Sequence, residues 1–155
     1  MRKNLLCLFV VVVALAALSC KTGPTIEGEV TQQKVNDALS QIYNNYRSKL
    51  DLSGAQDYTV VSGDTLTQIA RRFFDEGPNT GYYFPVIMLA SDSNIVDPDL
   101  IEPGMKLKIV DLKKNLANST SKKAIKDCLN DVAYVYNRKG DTSTENGLKN
   151  LANSL

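Results

Sequence analysis

Apolar residues recur at helical spacing along two long stretches of this chain and alternate with polar residues in shorter ones. Between 30 and 52, Val35, Leu39, Ile42, Tyr46 and Leu50 form one stripe, with Asn, Gln, Lys and Asp on the other face. That spacing predicts an amphipathic helix, ended by Ser53-Gly54. Tyr58 to Val61 is a short run of strand-favouring residues. Ser62-Gly63-Asp64 turns the chain and places Asp64 as the expected N-cap of the next helix. Leu66, Ile69, Ala70 and Phe73 share one face of that helix, and Arg71 and Arg72 point away. Residues 77–81 read as a loop. A second helix starts near Phe84, with Pro85 tolerated in its first turn, and buries Val86, Ile87, Leu89 and Ala90. Residues 91–98 are loop again. Pro103-Gly104 then turns into Lys106–Val110, an alternating strand with one wet face. A further helix is predicted over 121–138 from Ile125, Cys128 or Leu129, Val132, Val135 and Tyr136, stopped by Lys139-Gly140-Asp141. Residues 143–152 form a short last helix through Leu148 and Leu151, and the tail beyond is expected to fray. No segment repeats the 58–110 block.

The N-terminus carries a different signal. Arg2 and Lys3 precede an unbroken apolar run from Leu5 to Leu18, followed at once by Ser19-Cys20. The run is shorter than the roughly 20 residues that span a bilayer. A basic start, a short apolar core and a small-residue end describe a secretory signal over 1–19, with a buried core helix as the alternative. Ala17-Leu18-Ser19-Cys20 resembles a bacterial lipobox, which implies that Cys20 takes a diacylglyceryl group; ordinary cleavage nearby, giving a secreted protein, is the alternative. Two or three acyl chains would hold the protein on a membrane stably, whereas one binds only marginally. Residues 20–29, rich in Gly, Pro and Thr, then read as a flexible tether. Lys21 stands after Cys20 where an Asp retains some lipoproteins at the inner membrane, which favours an outer-membrane location in the cell envelope.

Composition narrows the function classes. The 18 basic and 17 acidic side chains lose Arg2 and Lys3 but no acid with the leader, so the net charge passes from +1 to −1. Nothing resembles the basic face of a nucleic-acid binder. About 135 remaining residues allow one domain with appendages. Cys128 has no partner for an internal disulfide and falls at an apolar helix position, as a small core residue rather than a reactive thiol. The chain contains no histidine, which excludes Ser-His-Asp and Cys-His nucleophiles and argues against a zinc site. A hydrolase built on two carboxylates across a cleft stays open, yet the acids sit mostly at caps, turns and helix surfaces. No catalytic residue, metal site or cofactor is expected.

The opening Tyr58-Thr59-Val60-Val61-Ser62-Gly63-Asp64-Thr65-Leu66 and the closing Asp97-Pro98-Asp99-Leu100-Ile101-Glu102-Pro103-Gly104-Met105-Lys106-Leu107-Lys108-Ile109 together resemble a LysM module. The resemblance implies an α+β fold: a βααβ LysM domain over 58–112, preceded by an amphipathic helix at 30–53 and followed by a C-terminal helical extension at 119–155. Two strands would pair antiparallel, with both helices on one side. Such a small block buries little apolar area, so its stability depends on whether the flanking helices pack on it. Two positions depart from the common pattern. Ser91 follows Ala90 where an Asn is frequent, and Met105 follows Pro103-Gly104 where a Gln is frequent.

The resemblance also implies a ligand: peptidoglycan or other N-acetylglucosamine polymers, in a shallow groove between two loops. Gly63, Asp64, Thr65 and Leu66 form the first loop, and Ile95, Val96, Asp97 and Pro98 the second. Backbone groups in tight loops can match the N–H and C=O of an acetamido group, and Leu66 or Ile95 can receive its methyl. Gly63 lets the backbone approach the ring. The implied protein is a non-catalytic, peptidoglycan-binding lipoprotein, with the bilayer as second partner through Cys20. Its alternative is an envelope scaffold whose helix stripes dock a protein partner around a structural LysM body. Exposed stripes would favour that alternative. Tyr43, Tyr46, Tyr134 and Tyr136 are expected to cover seams with their hydroxyls in water. Tyr82 and Tyr83, in the mid-module loop, stay open as sugar-stacking candidates.

Overall fold

The computed structural model describes residues 23–91 and 96–155. The predicted signal at 1–19, Cys20 and Ile95 lie outside them. Eight regular elements follow in order: α1 Gln32–Tyr46, β1 Gln56–Thr59, α2 Leu66–Phe73, α3 Phe84–Ala90, β2 Lys106–Ile109, α4 Leu112–Ala117, α5 Ser119–Lys139 and α6 Thr142–Ser154. One-turn 3₁₀ segments at Arg47–Lys49 and Thr80–Tyr83 continue α1 and lead into α3.

β1 and β2 pair antiparallel, with Tyr58 opposite Leu107 and Gln56 opposite Ile109. β1 begins two residues earlier than the sequence pattern suggests. Gln56 and Asp57 have little β character of their own, but β2 offers them partners up to Ile109, and Lys108 Nζ bonds Asp57 across the pair at 2.9 Å. In β2 the alternation holds: Leu107 and Ile109 are buried and Lys106 faces water.

α3 organises the body. All seven of its residues are buried, so it has no wet face for a minimal βααβ block to leave open. β2 and α2 take most of its surface, and α5 and α1 cover a smaller remainder. The flanking stripes therefore meet the block instead of solvent. Val35, Leu39, Ile42, Ile125, Leu129, Val132 and Val135 join Ile69, Ile87, Leu89 and Leu107 in one hydrophobic cluster.

Several expectations are corrected. Phe73 does not point into the core; α2 ends there, and the extended Phe74 behind it turns inward, 4% exposed. Phe73 lies edge-on against Tyr58 instead, ring centroids 5.3 Å apart. α4 was not foreseen. Asp111 caps it, and its buried Asn115 accepts from the Asp51 N–H at 2.8 Å and donates to the Asp51 carbonyl at 3.0 Å. The tail does not fray, because α6 continues to Ser154 and packs along α5. Residues 23–29 do not hang free. Pro24 and Ile26 are buried, the Ile26 N–H donates to the Tyr134 hydroxyl, and Arg138 donates to the Gly28 carbonyl. Three of the four helix tyrosine hydroxyls are held by protein, since Tyr46 donates to Asp131, Tyr136 donates to Asp99 and Tyr134 accepts from Ile26, whereas the buried Tyr43 hydroxyl has no hydrogen-bond partner among the described residues. Tyr83 is buried, and the Tyr82 ring lies under α6 at Gly147, where a Cβ would stand 2.0 Å from it.

Candidate functional site

The turn between β1 and α2 forms the first wall. Gly63 adopts φ +88°, the left-handed region that a side chain resists. Thr65, not Asp64, is the N-cap of α2. Its hydroxyl accepts from the Gln68 N–H, and the Gln68 side chain accepts from the Thr65 N–H, each at 3.2 Å. This reciprocal capping box needs Thr and Gln three residues apart, and Asp64 stands one place too early for it. The Asp64 carboxylate reaches back. It accepts from the Tyr58 hydroxyl at 2.5 Å, from the Val61 N–H at 3.0 Å and from Arg72 at 3.3 Å. These partners, Tyr58 foremost, hold its carboxyl below the usual carboxylate range.

The second wall is the connection from α3 to β2. Val96 is half-buried, Asp97 and Pro98 are buried and Asp99 is exposed. Asp97 faces away from the first loop. It accepts from Gln32 Nε2 of α1 at 2.7 Å, from the Asp99 N–H at 3.0 Å and from Lys139 Nζ of α5 at 3.4 Å. Asp99 accepts from the Tyr136 hydroxyl at 2.7 Å and pairs with Lys139. Burial lowers the Lys139 pKa, but Asp99 and Asp97 outweigh it and the net shift is upward.

Between the walls is a cleft of about 210 Å³. It brings together Asp64, Thr65 and Leu66 of the first loop with Pro98 of the second, and adds Thr67, Phe84, Asp99, Ile101 and Tyr136. Gly63, Val96 and Asp97 shape its walls without lining it. The lining is mixed, with Leu66, Phe84, Pro98, Ile101 and the Tyr136 ring beside Thr65, Thr67 and the exposed Asp99, while the Asp64 carboxylate is turned back to its own partners; no lysine or arginine lines it. Such a cleft suits an uncharged, ring-shaped ligand with one apolar face. Asp99 and Ile101 lie only one to three residues past the predicted second loop. Phe84 and Tyr136 were invisible as site residues, since α3 and α5 meet the cleft only through tertiary packing. A larger recess of about 520 Å³, lined by Phe73, Glu76, Asp111 and others, contains no residue of either loop.

Among the described residues no cluster of acids or cysteines could hold a metal ion, and no helix is long and apolar enough to cross a membrane. Burial pushes the Cys128 thiol well above its ordinary value, as expected of a core cysteine.

The two departures from the common pattern have structural roles here. The Ser91 hydroxyl donates to the Ile87 carbonyl at 2.6 Å and accepts from the Lys108 N–H at 3.0 Å, tying the end of α3 to β2. The Met105 carbonyl accepts from Val60, and its sulfur accepts from the Glu102 N–H at 3.3 Å.

Residues 58–110, about a third of the chain, match the family model described as LysM domain. LysM domains are generally non-catalytic modules that bind peptidoglycan and N-acetylglucosamine polymers, and they point to the cell wall. No solved structure matches the chain. The chain thus carries a LysM domain, an α+β unit with a two-stranded antiparallel sheet and helices.

Proposed function

We propose that this protein is a non-catalytic lipoprotein of the bacterial envelope, anchored through Cys20 to a membrane, the outer one favoured, and holding peptidoglycan in the cleft between residues 64–66 and 98–101. The observation that supports this most is the cleft itself, a recess of mixed polar and apolar lining with no cationic side chain, between the two loops of the LysM domain. One such cleft makes a small contact, so the affinity is micromolar to millimolar, roughly −8 to −4 kcal/mol. Many copies in one leaflet facing one polymer turn this into firm attachment.

The scaffold alternative needs unpartnered helix stripes. The α1 and α5 stripes are buried in the body, which leaves that reading without its surface. A glycan hydrolase needs a proton donor with a raised pKa. Asp64 is held low, which suits a structural carboxylate.

The full chain, purified in mild detergent, is expected to sediment with intact peptidoglycan and to be released by N-acetylglucosamine oligomers. Leu66→Asp is expected to abolish sedimentation. A well-folded chain that stays in the supernatant would sink the proposal. Loss of acyl-modified peptide and of membrane retention in Cys20→Ala tests the anchor separately.

A further inference from the structure

The second wall of the cleft belongs to a long connection. No helix or strand occurs among the described residues between Ala90 and Lys106. A free loop of that length would have to be ordered at the moment a ligand binds, at a cost in affinity. Here the segment lining the cleft is pinned on both sides of Pro98 by elements outside the LysM domain. Asp97, with only 2% of its side chain exposed, is gripped by Gln32 of α1 and Lys139 of α5. Asp99, on the other side of Pro98, is gripped by the Tyr136 hydroxyl and the same Lys139. Lys139 also lies over the Tyr136 ring, 5.0 Å from its centroid. The ring packs edge-on against Phe84 and itself faces the cleft.

We infer that α5 is the third wall of the glycan site, with Tyr136 and Lys139 as positioning residues that hold the 97–99 segment in its binding form. The inference rests on the glycan-binding reading above and deepens it. The LysM block supplies the first loop and the turn bonds onto Asp97 within the second, and the side-chain grip on Asp97 and Asp99 comes from outside it. Carboxylate bonds to an ammonium and a phenol hydroxyl are charge-assisted and stronger than neutral ones; those to Asp97 are buried, while Asp99 keeps about half of its side chain in solvent. The wall is therefore preorganised before any ligand arrives.

The test uses the full chain in detergent, with N-acetylglucosamine-competed sedimentation and amide hydrogen exchange as paired readouts. Tyr136→Phe keeps the ring and removes the donor to Asp99. Lys139→Met keeps an apolar stem and removes the ammonium. Each is expected to weaken sedimentation roughly tenfold, the scale of one lost charge-assisted hydrogen bond. Each is also expected to speed exchange at the Asp99 and Leu100 amides, whose acceptors belong to Asp97, while amides within α5 and α6 keep their protection. Lys139→Arg, whose planar fork can serve both carboxylates, is expected to restore binding. A merely structural lysine would show no such rescue together with loop-specific exchange. If wild type binds, Leu66→Asp does not, and both α5 variants bind as wild type, the role of α5 is overturned and the glycan reading stands. If wild type fails to bind, both fall, even where exchange shows the segment to be pinned.

Discussion

Gly147 on α6 tests whether the C-terminal helices belong to the body or merely lie beside it. A Cβ at this position would stand 2.0, 2.2 and 2.5 Å from three atoms of the Tyr82 ring, where carbon atoms rest about 3.5–4.0 Å apart. In Gly147→Ala the ring must retreat by about 1.5 Å or leave. Retreat within a packed seam costs about 1–3 kcal/mol. Departure exposes about half of the 150–250 Å² that an aromatic side chain covers, about 100 Å², or about 2.5 kcal/mol. Alanine recovers about 1 kcal/mol of helix propensity against glycine. The net expectation is a destabilisation of about 1–1.5 kcal/mol, or about 4–6 °C in Tm for a body of this size. Urea and thermal unfolding followed by circular dichroism measure it. In a Tyr82→Ala background the sign reverses, and Gly147→Ala stabilises by up to about 1 kcal/mol. The difference between the backgrounds is the coupling between the two positions. An unchanged or raised midpoint for Gly147→Ala alone would refute the reasoning, because α6 would then not rest on the 3₁₀ turn ahead of α3.

Ser91→Ala removes the acceptor of the Lys108 N–H and the donor to the Ile87 carbonyl, and is expected to cost about 1–2 kcal/mol in urea unfolding. Asp64 has a folded pKa below its unfolded one, chiefly through Tyr58 and then through Val61 and Arg72. Its contribution is therefore present above the unfolded value of about 3.9 and is lost as pH falls through the lower folded value. The acid limb of the urea midpoint against pH, below about pH 4, is expected to be shallower in Asp64→Asn. Asp131 shows the opposite sign. Burial, then Asp127, raises its pKa against the lowering hydrogen bond from Tyr46, so its charge opposes folding at neutral pH and the penalty lifts as pH falls towards the unfolded value. Asp131→Asn, which can still accept from Tyr46, is expected to raise the urea midpoint at pH 7, with the gain vanishing near pH 4.

The sequence was most legible where a local pattern and the tertiary environment agree. The stripes of α1, α2 and α5 marked faces that are buried, and the Leu107–Ile109 alternation marked the inner face of β2. It misled where two neighbouring residues had equal local merit. Asp64 and Thr65 can both cap a helix, and Gln68, three residues past Thr65, was the deciding sign. Phe73 and Phe74 differ only in which one follows the last turn of α2. α4 is too short to show a repeating stripe: Leu112 and Leu116 are its only large apolar residues, and between them the buried Asn115 bonds a passing chain at Asp51. Of the site, the first wall could be read from the turn. Tyr136 could not, since it lies far along the chain on a stripe that otherwise serves the core.

The course of residues 23–29 sets a distance. A Cβ on Gly23 would lie 3.5 Å from Asp131 Oδ1, and the chain then follows α5 past Tyr134 to Arg138. With Cys20 as the proposed lipid-bearing residue, only the three steps from Cys20 to Gly23 separate the acylated sulfur's residue from the folded body, at most about 11 Å of extended chain. A leash that short leaves little freedom to swing. The body would ride close above the headgroups, and the glycan strands within its reach would be those lying nearest the bilayer.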